Sequence, residues 1–86
     1  MVSGGLPANL VILVVEDDPV IGKALSQGLR EAGHNVQWER TGDKGREALA
    51  EPKFDLVILD VMLPGASGIE LLSEMRRRDV QTPVIL

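Results

Sequence analysis

The chain has no cysteine. That excludes disulfide staples, thiolate metal sites and cysteine nucleophiles together, and it agrees with a reducing compartment. Aromatic residues are almost as scarce: one Trp, one Phe and no Tyr among 86 residues. The core must then be built from Val, Ile, Leu and Ala, which suits a parallel sheet covered by helices. No long apolar run is present either. The longest, "LVILVV" from Leu10 to Val15, is far shorter than the roughly 20 residues needed to cross a bilayer. The start, "MVSGGLPAN", lacks the basic and apolar regions of a signal peptide. The expectation is a cytoplasmic protein with no membrane partner. An excess of positive charge is missing as well. The net charge is −4, which does not suggest a nucleic-acid-binding surface. The single basic cluster, Arg76 to Arg78, falls where a helix should end and can complement the negative end of its dipole.

What is present is ordinary for a globular chain, with 44% hydrophobic and 26% charged residues. The length allows one small domain near the lower limit of independent stability. Residues 1–9 suggest a flexible leader and residues 10–86 the domain. Leu10 to Val15 has the length and β-branched content of a strand buried on both faces. In "EDDP" Asp18 is placed to cap a helix and Pro19 to occupy its first position. Val20, Ile21, Ala24, Leu25 and Leu29 then recur at helical spacing, and Gly33 is placed for a left-handed cap. "HNVQW" suggests a short second strand. "TGDKGREALA" suggests a weak helix, burdened by Gly42 and Gly45 and stopped by Pro52. Leu56 to Leu59 form a third apolar strand. After the "LPGA" turn, Ser67 and Glu70 form a capping box, with Ile69, Leu72 and Met75 as the buried face of the helix it opens. A loop over Asp79 to Thr82 leads into "PVIL", the start of a fourth strand. This alternation implies βαβ units with right-handed crossovers.

In an open parallel sheet, functional groups gather beyond the C-terminal ends of the strands. Two such ends are acidic here: Glu16 and Asp17 after the first strand, Asp60 after the third. If those apolar strands are central neighbours, their carboxylates converge on one pocket. Converging carboxylates repel, and a hard divalent cation with oxygen ligands resolves the conflict. Taken singly, Asp18 is accounted for as a cap, and Asp60 as the start of a turn before Pro64-Gly65. Together with Glu16 and Asp17, Asp60 is better explained by a metal pocket.

The stretches "ILVVEDDP" (12–19), "GREAL" (45–49) and "FDLVILDVMLPGASGIELL" (54–72) resemble the receiver domain of two-component response regulators. The "MLPG" turn is most similar to that of winged-helix transcriptional regulators. The resemblance covers Leu10 to Leu86 and implies a doubly wound, flavodoxin-like α/β fold with strand order 2-1-3-4-5. This chain would supply β1-α1-β2-α2-β3-α3 and the start of β4. The resemblance makes Asp60 the phosphoacceptor and Asp17 a Mg²⁺ ligand. It places Glu16 on the metal through water and the backbone carbonyl of Met62 among the ligands. It implies a sensor histidine kinase as phosphodonor, and DNA contact only through an output domain that these residues do not include. The family's Ser or Thr after strand four and Lys after strand five would fall beyond Leu86. Lys23, Lys44 and Lys53 match neither position.

Two other readings stand beside this one. A receiver-like fragment could act as an interaction module without being phosphorylated. Self-association belongs to either version, because an incomplete sheet leaves an open strand edge and uncovered apolar surface. A phosphatase of the haloacid-dehalogenase type shares the Asp nucleophile and Mg²⁺. It needs a second acid two residues later, where this chain has Met62. His34 is expected to be a solvent-exposed loop residue, and Trp38 a packing or surface residue.

Overall fold

The computed structural model describes residues 9–64 and 66–86. The expected leader lies outside the described residues except for Asn9. The elements alternate as β1 (Val11–Val15), α1 (Pro19–Glu31), β2 (Asn35–Glu39), α2 (Gly42–Leu49), β3 (Leu56–Leu59), α3 (Gly68–Arg77) and β4 (Val84–Ile85). All strand pairs are parallel, in the order β2-β1-β3-β4. The two apolar strands, β1 and β3, are central neighbours, as their composition requires. β2 lies one residue later than "HNVQW" at both ends, and β1 begins at Val11 rather than Leu10.

Strand periodicity sends alternate side chains to opposite faces. Leu13 and Val15 of β1 and Val57 and Leu59 of β3 form one cluster with Ala48 of α2, Phe54, and Leu71 and Met75 of α3. Arg46 of α2 grips Glu74 of α3 through two hydrogen bonds of 2.8 and 3.0 Å across the top of that cluster. The Arg46 hydrogen bonds hold the Glu74 carboxyl below its usual value, despite the opposing effect of desolvation. Ile12 and Val14 point the other way, toward α1, and are buried.

The caps behave as their residue types dictate. The Asp18 side chain accepts from the N–H groups of Val20 and Ile21. Gly33 has φ 100. Its N–H donates to Arg30 O and that of His34 to Leu29 O, closing α1 with a left-handed cap. Ser67 and Glu70 form the reciprocal capping box of α3. α3 ends in the same manner as α1, with Asp79 at φ 59 in the position Gly33 holds. Arg76 donates to the carbonyls of Val80 and Thr82 beyond that end.

Two expectations are corrected, the buried face of α3 and the exposure of His34, and α1 shows which of its residues meet the sheet. On α3, Ile69 is 53% exposed, whereas Leu71 is buried, Met75 is buried and Leu72 is half-buried. Leu71 and Met75 are four residues apart and share the face toward the sheet, which turns Ile69 aside. On α1, Val20, Ile21 and Ala24 are exposed, while Gly22 and Ser26 are buried and Leu25 and Leu29 half-buried. The helix approaches the sheet along its small residues, not its large ones. His34 is half-buried, and its Nδ1 accepts the Leu10 N–H at 3.1 Å. It ties the start of β1 to the end of α1.

Candidate metal and phosphoacceptor site

β1 and β3 run side by side, so their C-terminal ends stop at the same edge of the sheet. The Asp60 N–H donates to the Val15 carbonyl at 2.9 Å, which locks the two ends together. Glu16 and Asp17 leave β1 there. One carboxylate oxygen each from Glu16, Asp17 and Asp60 lies within 4.8 Å of the other two, and all three residues are half-buried. The expected convergence is therefore present. Asp18 is exposed and its carboxylate is committed to capping α1, while its N–H donates to Glu16 Oε2 at 3.1 Å. Only one of the four acids is thus taken by the cap.

Crowding has an electrostatic cost. Burial pushes the Glu16 carboxyl above its usual value, and the neighbouring Asp60 and Asp17 push it the same way, against the Asp18 N–H that lowers it. The donor set consists of carboxylate oxygens without His or Cys, which fits a hard divalent cation such as Mg²⁺ and not a softer metal. Asp60 Oδ1 also accepts the Met62 N–H at 3.2 Å, so Asp60 and Met62 share one tight turn. Met62 is 80% exposed at the mouth of the site. Val61, Ile69 and Pro64 line the same open groove beside Asp17.

Sequence reasoning missed a supporting residue. A Cβ on Gly68 would lie 2.2 Å from the Asp60 carbonyl oxygen. The first residue of α3 therefore has to be glycine for the helix to start against the backbone of the acid. "ASGIELL" was legible as a helix start, but this close approach depends on a loop that folds back over eight residues.

Fold and site together define a class: a parallel α/β switch-point site of the flavodoxin-like kind, with acids at the ends of adjacent strands. Comparison with known proteins gives the family. Residues 12–86 match the model of the response regulator receiver domain, and the chain belongs to that family. It is 48% identical over 75 residues to the uncharacterized transcriptional regulatory protein YkoG of Bacillus subtilis, covering 87% of this chain and 33% of that protein. It is 41% identical to the transcriptional regulatory protein QseB of Escherichia coli O157:H7, covering 87% of this chain and 34% of that protein. The chain thus spans about a third of the length of these curated relatives.

Among solved structures, the receiver domain of the Francisella response regulator 1452 superposes with a TM-score of 0.85 at 28% identity, covering 88% of this chain and 63% of that one. The response regulator protein TrrA of Thermotoga maritima, solved in complex with Mg(2+)-BeF, has a TM-score of 0.83 at 35% identity, covering 90% and 67%. No helix among the described residues is long and apolar enough to cross a membrane.

Proposed function

We propose that this chain is the N-terminal part of a phosphoacceptor receiver, with Asp60 accepting a phosphoryl group from a sensor histidine kinase. The observation that carries the reading is the meeting of Glu16, Asp17 and Asp60 within 4.8 Å at the ends of two adjacent apolar strands. Asp17 and Asp60 would hold Mg²⁺ directly, together with the Met62 carbonyl, and Glu16 would reach it through water. The cation, when bound, supplies positive charge to offset the phosphoryl oxygens as they approach the carboxylates.

An Asp60 carboxylate oxygen attacks phosphorus in line. A P–O bond forms as the bond to the donor breaks, and the departing group leaves with the bonding pair and takes a proton from solvent. β3 contributes rigidity: the nucleophile follows a strand hydrogen-bonded on both sides, so its backbone is fixed before the donor arrives. The Met62 N–H on Oδ1 orients the carboxylate.

Residues 10–86 would form the receiver portion and residues 1–9 a leader. Phosphorylation in the whole protein would shift a pre-existing equilibrium of the domain toward an active surface. The relatives are named as transcriptional regulatory proteins, which favours transcription control in the cytoplasm as the output, with DNA contact outside these residues. The chain by itself would self-associate through the sheet face that α1 only half covers.

The test is intact mass after incubation with a small-molecule phosphodonor. The expected result is a hydroxylamine-labile phosphoryl adduct that forms only with Mg²⁺ and is lost in Asp60→Asn. An unmodified chain under all conditions, with the fold retained, would leave only the interaction-module reading.

A further inference from the structure

Three of the bonds that hold the acidic loop come from one place. Glu16 N–H donates to the Glu39 carbonyl at 3.0 Å. The Glu16 carbonyl accepts the indole N–H of Trp38 at 2.9 Å. The Asp17 carbonyl accepts from the Arg40 guanidinium at 3.2 Å, and that guanidinium lies 5.9 Å from the centre of the Trp38 ring. Trp38, Glu39 and Arg40 are consecutive, at the C-terminal end of β2. Phosphoryl chemistry uses none of their side chains directly.

The indole reaches Glu16 only because α1 makes room for it. Trp38 pairs in register with Val14, so its ring lies on the α1 face of the sheet. A Cβ on Gly22 would lie 2.2 Å from Cζ2 of that ring and 2.6 Å from its Nε1. The ring is wedged between helix and strand with its N–H aimed at the loop. A partly buried indole N–H needs a partner, and the one it takes here is the backbone of a candidate metal-site acid.

We propose that Trp38 is a positioning residue for the metal pocket. Its indole N–H fixes the Glu16 carbonyl, and with it the direction in which the Glu16 and Asp17 side chains leave the strand. This rests on the reading of the acidic cluster as a Mg²⁺ site. Removing the N–H frees the loop to relax away from Asp60, because the three carboxylates repel one another when no cation is bound. The pocket would then have to be reassembled on binding, at a cost of one neutral hydrogen bond's worth of affinity.

The experiment is calorimetric titration of the chain with MgCl₂, in parallel with thermal melts. Two replacements of Trp38 remove the N–H and keep an aromatic ring: Trp38→Phe, and benzothienylalanine at the same position, which preserves the bicyclic shape. Both keep every carboxylate. Mg²⁺ affinity is expected to fall by about three- to tenfold in each. The benzothienyl chain should melt close to the unchanged one, so its loss of affinity cannot come from lost packing. Equal Mg²⁺ affinity in the unchanged and benzothienyl chains overturns the inference and leaves the metal-site reading intact. No Mg²⁺ binding by the unchanged chain overturns both.

Discussion

The two faces of the sheet are covered differently. On one, α2 and α3 lie over Leu13, Val15, Val57 and Leu59; α3 buries the large Leu71 and Met75 and α2 the small Gly42, Gly45 and Ala48, with Arg46 and Glu74 bonded across the helix pair. On the other, α1 lies over Ile12 and Val14 through Gly22 and Ser26. There Leu56 and Ile58 of β3 are only half-buried, Ile85 of β4 is exposed, and so are Val20 and Ile21 of the helix. The first face holds the larger cluster of buried apolar side chains. The second buries Ile12 and Val14 and brings α1 close enough to trap Trp38 beside the acidic loop.

The sharpest way to break that comparison is to truncate the two apolar residues of α3 that differ in burial. Leu71→Ala should cost about 2–5 kcal/mol, the range for emptying a packed core position. Ile69→Ala should stay within about 0.5 kcal/mol, as for an exposed site. Urea melts of both chains would show it. Similar losses would mean that the helix does not present the face described here.

A smaller effect is expected from the other face. Its open apolar surface should make the apparent mass in gel filtration rise with concentration. Ile85→Lys, at an exposed position on that face, should reduce the rise. A concentration-independent monomer would show that the α1 side needs no cover.

Much of this was legible from residue types alone. Apolar, β-branched runs ending on acids marked β1 and β3 as central strands and put Asp60 opposite Glu16 and Asp17. Asp18-Pro19, Gly33 and the Ser67/Glu70 pair marked helix ends, because capping chemistry is local and each residue answers to its own backbone. The illegible part is what depends on distant partners. Ile69, Leu71, Leu72 and Met75 offer two overlapping apolar faces, and only the position of the sheet decides between them. Nothing in the sequence sets Gly22 apart from the rest of its helix. Its use is visible only once Trp38, sixteen residues later in sequence, is placed against it. His34 could not be connected to Leu10 without knowing that β1 and β2 pair. Gly68 was hidden for the same reason, since its neighbour is the Asp60 carbonyl.

If Glu16, Asp17 and Asp60 share one cation, the ends of β1 and β3 respond to it as one pocket and not as two separate acidic turns. The most direct measurement is a Mg²⁺ titration of the chain followed through its backbone amide resonances. The amides of residues 16–18 and 60–62 are expected to shift together with a single midpoint, and Asp17→Asn to weaken the response in both groups. Independent midpoints for the two loops, or shifts confined to one of them, would contradict it.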